Sequence, residues 1–235
     1  MRHVTQSQAG RRRRVCALVA AVVLAVGGIA AIVIGLRLQQ SPPQPPAAAA
    51  AAQPAPPPGP SADGAGAGPA PAAGPVLPHS VPTRIDIPAI DVHHTLITLG
   101  QNPDGSVQVP SLDDVAVPGW ARFSPTPGEQ GPAVIVGHVD SAEQGKGVFF
   151  RLGDLRPGDM FTVGRADGTV AEFTITGVDR YAKDAFPTLA VYGNTRRAEA
   201  RLITCGGSFD PDTGNYTDNI VAYARLTGSH PVPAP

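Results

Sequence analysis

The chain has 235 residues, a formal net charge of −1, 27 glycines, 27 prolines and two cysteines. A balance so near zero, with no basic stripe along it, excludes a face built for nucleic acid. Outside the apolar N-terminal stretch Cys205 stands alone, a thiol with no partner in its own fold.

Residues 1–14 carry Arg2 and the block Arg11 to Arg14 without an acidic residue, and residues 15–36 are uncharged and apolar. That run matches the roughly 20 apolar residues needed to cross a bilayer. Only Arg37 follows it closely. The positive-inside rule therefore predicts a single transmembrane helix at the cell membrane, with residues 1–14 cytoplasmic and everything after the span extracytoplasmic. A cleaved signal peptide is the rival reading. Gly35-Leu36-Arg37-Leu38-Gln39 is a poor small-residue cleavage site, and either outcome exports the rest. Cys16, at the start of the span, reads as a small buried hydrophobe. Residues 37–79 collapse to Pro, Ala and Gly and cannot bury enough apolar surface to offset their ordering entropy. The expectation is a disordered, semi-stiff tether reaching up to about 100 Å.

Residues 80–228 have the size of one folded domain, and residues 229–235 read as a disordered tail. Thr83-Arg84-Ile85-Asp86-Ile87 alternates at period two, as a strand buried on one face does. Ser106-Val107-Gln108-Val109-Pro110 repeats that pattern after the turn Asn102-Pro103-Asp104-Gly105, predicting a hairpin-like connection. Pro132-Ala133-Val134-Ile135-Val136-Gly137 is a continuous apolar run, as a central strand would be. Met160-Phe161-Thr162-Val163 and the segment 170–176 flank the turn Ala166-Asp167-Gly168-Thr169, a second hairpin signal. Segments 200–205 and 219–226 complete the strands, and helical periodicity is confined to a turn or two near 148–152 and 188–192. Many short strands with frequent turns predict an all-β domain, a barrel or a sandwich.

Two strands run straight into reactive side chains, Val134-Ile135-Val136-Gly137-His138 and Arg201-Leu202-Ile203-Thr204-Cys205. As neighbours they would bring imidazole and thiol to one rim. A thiolate favoured by a nearby imidazolium is the best nucleophile available at neutral pH, and the histidine could then protonate a leaving amine. Gly206 and Gly207 would let a substrate backbone approach closely.

Gly137-His138-Val139-Asp140-Ser141, Phe149-Phe150-Arg151-Leu152, Thr204-Cys205-Gly206-Gly207 and Tyr216-Thr217-Asp218-Asn219, in this order behind an N-terminal anchor, resemble the sortases and within them the actinobacterial class F group. Sortases are cell-envelope cysteine transpeptidases, and the resemblance spans about residues 81–226. It implies an eight-stranded β-barrel with one or two short helices and His138 and Cys205 at one end of a groove. It further implies attack of Cys205 on the Thr-Gly bond of an LPXTG-like sorting signal on a secreted protein, forming a thioacyl enzyme. An amine of a peptidoglycan precursor or a pilin then resolves that intermediate. Thr204 is expected to line the signal pocket and help with the oxyanion, and no cofactor is implied.

The family also places an arginine on the strand after the cysteine loop, and this chain departs from it, with no arginine between Gly206 and Ala224. Thr217 or Asn219 occupies the equivalent place, and an Asn219 amide would still donate a hydrogen bond without a charge. Arg225 lies about 20 Å beyond Asn219 along an extended strand, too far to substitute. Arg151, Arg122 or Lys183 are the cations a loop could supply. Loss of one oxyanion donor typically costs about 100- to 1000-fold in rate, so a weak or inactive barrel that binds a peptide or envelope partner is the alternative. An L,D-transpeptidase is a third reading, although its close histidine-glycine-cysteine motif is not seen. His93 and His94 read as solvated loop residues, with no further ligand spaced to complete a zinc site. Asp140 reads as a turn cap, and the loop 210–215 as turn chemistry that lacks the final Glu of a calcium loop.

Overall fold

The computed structural model describes residues 41–50 and 74–232. The expected anchor at 15–36 lies outside the described residues, among which no helix is long and apolar enough to cross a membrane. The strands, in chain order, are β1 Pro82–Ile87, β2 Val92–Thr95, β3 Ile97–Leu99, β4 Gly119–Ala121, β5 Gly131–Val136, β6 Asp140–Ser141, β7 Gly145–Lys146, β8 Met160–Arg165, β9 Thr169–Ala182, β10 Ala198–Asp210 and β11 Asn215–Pro231. Among the described residues one five-residue α-helix, α1 Thr188–Tyr192, lies between β9 and β10.

Nine strands form one sheet in the order β2-β1-β8-β9-β11-β10-β5-β4-β3, and β6 and β7 pair separately. Its two edge strands, β2 and β3, are separated in the chain by Leu96 alone. Counted as one interrupted strand they reduce the nine to eight staves and bring the sheet edges together, making a nearly closed barrel. Among the described residues very little helix accompanies it.

Burial explains which strands were plain to read. β8 and β9 alternate buried and partly exposed residues, because one face packs on the interior. β5 is buried at every position. Ile135 faces the barrel interior with Leu202, Phe161 and Phe173, whereas Val134 and Val136 face a second apolar layer with Ile203, Val221, Tyr223 and Val191 of α1. A strand covered on both faces must be apolar throughout. The hairpin at 166–169 forms as expected, with Gly168 at φ +79° and Thr169 donating to Asp167.

Several expectations are corrected. Residues 106–110 make no strand beyond a bridge between Gln101 and Val107, because Pro110 has no N–H with which to extend a ladder. His93 and His94 lie on β2, opposite Asp86 and Ile85 of β1, and His93 Nδ1 is 3.0 Å from Asp86 Oδ1. Near 148–152 the chain makes only a turn leading into the 3-10 turn Leu152–Asp154.

Within the stretch read as tether, residues 42–50 pack on the barrel as part of the same compact unit. Ala49 is fully buried in the interior cluster. Gly153 sits so close to the Pro43 carbonyl that a Cβ would come within 2.1 Å of its oxygen.

Candidate active site

The parallel pairing of β5 with β10 sets the site. Its register matches Ala200 with Ala133, Leu202 with Ile135 and Ile203 with Val136. Continued by two residues, it sets Gly137 level with Thr204 and His138 level with Cys205. Two bonds extend the pairing beyond the regular strands: Gly137 N–H donates to the Ile203 carbonyl at 3.1 Å, and the Thr204 hydroxyl donates to the Gly137 carbonyl at 2.8 Å. Imidazole and thiol are thus carried by adjacent strands at one height. Gly137 is required there, since a Cβ would come within 2.6 Å of Val148 and 2.8 Å of Phe149.

Both His138 and Cys205 are half-buried and line a groove of about 1280 Å³. His138 Nε2 lies 2.7 Å from the Pro110 carbonyl oxygen. A carbonyl only accepts, so Nε2 carries a proton and Nδ1 is the nitrogen free to exchange one. The irregular segment ending at Pro110 therefore positions the imidazole. Val107, Val109, Pro110 and Leu112 line the groove, and so do Phe186, Thr188 and Tyr192.

On β11, Asn219 pairs directly with Cys205. Tyr216, on the same strand, donates its phenol to Asp140 Oδ2 at 2.5 Å. Burial, the Asp140 carboxylate and the nearby Cys205 all push the Tyr216 phenol above its ordinary pKa, so it remains a donor. Asp140 is thereby tied to β11 and not to His138.

A family model described as "Sortase domain" matches residues 85–227. The chain belongs to the sortase family. No curated protein matches it. Among solved structures, sortase A of Listeria monocytogenes is 20% identical, with 66% of this chain and 92% of that chain covered and a TM-score of 0.49. A Clostridium perfringens sortase D5 transpeptidase is 22% identical over 63% of this chain and 79% of that chain, with a TM-score of 0.46. Sortase C-1 of Actinomyces oris is 18% identical over 62% and 73%, with a TM-score of 0.49.

The remaining expected residues of this sortase divide by position. Thr204 is buried and its hydroxyl proton is committed to Gly137, so it locks β10 to β5 at the base of the groove. Gly206 leaves little room for substrate, because a Cβ there would meet the Ile220 side chain at 2.6 Å. Gly207, at φ +77°, would press a Cβ against Asp218 and Thr217, and its N–H donates to Gln44 Oε1 at 3.1 Å. Thr217 is exposed and accepts from the Ser208 N–H at 3.2 Å. Arg151 is exposed, donates to Asp154 at 2.9 Å and does not line the groove, and neither does Arg122. Tyr216, Pro110 and Gln44 had no role assigned from sequence alone. Only Tyr216 had a signal, its place in the Tyr216-Thr217-Asp218-Asn219 motif.

Proposed function

We propose that this sortase is a membrane-anchored, extracytoplasmic cysteine transpeptidase of the class F type. It cleaves an LPXTG-like signal at its Thr-Gly bond and passes the acyl group to an amine of the cell envelope. The observation that carries the reading is the shared height of His138 and Cys205 on the parallel β5 and β10 strands, at the floor of an open groove. The Cys205 thiolate attacks the carbonyl carbon, and its electron pair forms the C–S bond while the carbonyl oxygen takes up negative charge. As the tetrahedral species collapses, the C–N bond breaks and a proton on His138 Nδ1 goes to the leaving glycine amine. The incoming amine then attacks the thioester, His138 takes its proton, and the C–S bond breaks to restore the thiolate. The apolar groove walls suit an extended peptide with small apolar side chains.

A second reading, a barrel that binds a peptide without turnover, is favoured by one observation. Among the described residues lining the groove there is no arginine.

Mass spectrometry after mixing the protein with a pool of LPXTG-like peptides and an amine separates the two. The transpeptidase gives a thioacyl adduct that Cys205→Ala abolishes, and iodoacetamide modifies its thiol more slowly after His138→Ala. A wild-type protein that forms no adduct, with a thiol indifferent to His138, leaves the binding barrel as the function.

A further inference from the structure

Acyl transfer at Cys205 puts negative charge on the substrate carbonyl oxygen, and a groove that carries the reaction needs a donor or a positive charge aimed at that atom. The charged side chains lining the groove besides His138 and Cys205 are Asp113, Asp140, Glu143 and Lys183. The first three have the wrong sign. The arginines nearby are engaged elsewhere: Arg180 with Asp218 at 3.2 Å, Arg201 with Glu199 at 2.7 Å and Arg151 with Asp154 at 2.9 Å.

Strand register brings Lys183 to the same side as the thiol. Cys205 pairs with Asn219, and Asn219 pairs with Tyr181 of β9, so the three form one row across three strands. The next row is Gly206, Asp218 and Ala182. One step further the chain leaves β9, and Lys183 opens the 3-10 turn Lys183–Ala185 that follows Ala182. Paired residues on neighbouring strands share a face, so Tyr181 stands on the face of Cys205 and Asn219, and Lys183, two residues beyond it, lines the same groove. That face is the groove side, where the Tyr181 hydroxyl meets the Tyr223 hydroxyl at 3.0 Å within the second apolar layer. Two strand spacings across and two residues along set the Lys183 and Cys205 Cα atoms on the order of 12 Å apart. The flexible four-carbon stem of lysine can span roughly half of that distance toward the thiol. Lys183 also borders a smaller hollow lined by Asp184, Asp210 and Asp218.

We propose that Lys183 is a catalytic residue of this sortase, supplying from the turn after β9 the positive charge that stabilises the oxyanion at Cys205. This rests on the transpeptidase reading. The ammonium keeps its proton throughout. It donates a hydrogen bond to the carbonyl oxygen as the C–S bond forms and yields it again when the C–N bond breaks.

The test uses the full chain in detergent with an LPXTG-like peptide pool and a glycine-based amine, comparing wild type, Lys183→Met, Lys183→Arg and the double variant Lys183→Met with Thr217→Arg. The expectation is a fall in kcat of about 100-fold for Lys183→Met with KM changed little, matching the loss of one oxyanion donor. Lys183→Arg stays within severalfold of wild type, and Thr217→Arg restores much of the lost rate by placing a guanidinium on the Asn219 face of β11. A thermal midpoint unchanged by Lys183→Met separates this from unfolding. Wild-type kcat in Lys183→Met, or a loss that neither arginine recovers, overturns the role of Lys183 while leaving the transpeptidase standing. Absence of any thioacyl adduct in wild type overturns both, since no oxyanion then forms.

Discussion

Arg201 shows how one side chain links the stability of the barrel to the shape of the groove. It lies on β10 four residues before Cys205, is 2% exposed, and ranks among the largest side chains fully buried in the molecule. Its Nε donates to the Val191 carbonyl of α1 at 3.2 Å, its Nη2 donates to Glu199 at 2.7 Å, and its guanidinium lies 4.7 Å over the Tyr223 ring. A charge so deep is tolerated only because every face of it is occupied. Arg201→Ala removes the charge and its packing while stranding the Val191 carbonyl, a loss of about 3 kcal/mol. For a domain of this size that lowers the thermal midpoint by about 6–12 °C, read by circular dichroism. Because α1 then loses its tie to β10, KM for the peptide is expected to rise more than kcat falls. Arg201→Met, which keeps most of the volume, should recover part of the midpoint but not the KM. Equal recovery of both would show that the guanidinium fills space and does not hold the groove wall.

At the scale of elements, residues 42–50 behave as a strap. Gln44 Oε1 takes the Gly207 N–H at 3.1 Å, two residues past the nucleophile, while Ala49 is inserted into the interior. The Ala49 methyl offers little area, so docking depends on fit: Pro43 against Gly153, Gln44 beside Gly206, and Ala49 enclosed in the interior cluster. Gln44→Ala is therefore expected to speed hydrogen exchange of the Gly207 amide by about two- to tenfold, the worth of one net hydrogen bond. Ala49→Asp buries an unpartnered carboxylate and should expel the strap, its cost capped by what docking contributes. Unchanged exchange at Gly207 in both variants would show that the strap does not dwell on the barrel. The same fit explains why the strap was not legible in the sequence, where Pro and Ala composition argued only for an extended chain. β5, β10 and β11 were legible because burial on both faces forces continuous apolar runs, and β8 and β9 because burial on one face forces alternation. β2, β3 and β4, with three or four residues each, are too short to display a period. At the site, His138 and Cys205 could be read as strand ends carrying reactive groups. Their common height could not, because it is set by the parallel register of strands more than sixty residues apart. The Pro110 and Asp140 contacts are tertiary in the same sense.

Across the whole molecule, the carboxylates that tie loops to the barrel set how it responds to acid. Arg165 ends β8 with its side chain fully buried, donating to the Pro127 and Pro78 carbonyls and to Asp167 at 3.0 Å. It thereby joins the β8–β9 hairpin to the chain that leads into β1 and to the loop before β5. Arg165 and then Thr169 hold the Asp167 carboxyl far below the usual carboxylate range. Arg84 and His93 lower Asp86 against the opposing effect of burial. A carboxyl whose folded pKa is depressed contributes stability that is complete above its unfolded pKa, about 3.9, and is lost as pH falls from there through the folded value. The thermal midpoint should therefore be level above about pH 5 and fall steadily below about pH 4. Asp167→Asn lowers the midpoint at neutral pH, because Arg165 keeps its two carbonyls but loses its counter-charge. The difference from wild type should narrow between pH 4 and pH 2, where wild type progressively gives up the same interaction. Asp167 is partly exposed, so solvent screening limits the size of the effect, but its pH dependence is diagnostic. If the two midpoint curves instead run parallel from pH 5 to pH 2, the pair at the end of β8 is not what acid breaks, and the Arg84, Asp86 and His93 group on β1 and β2 becomes the place to substitute next.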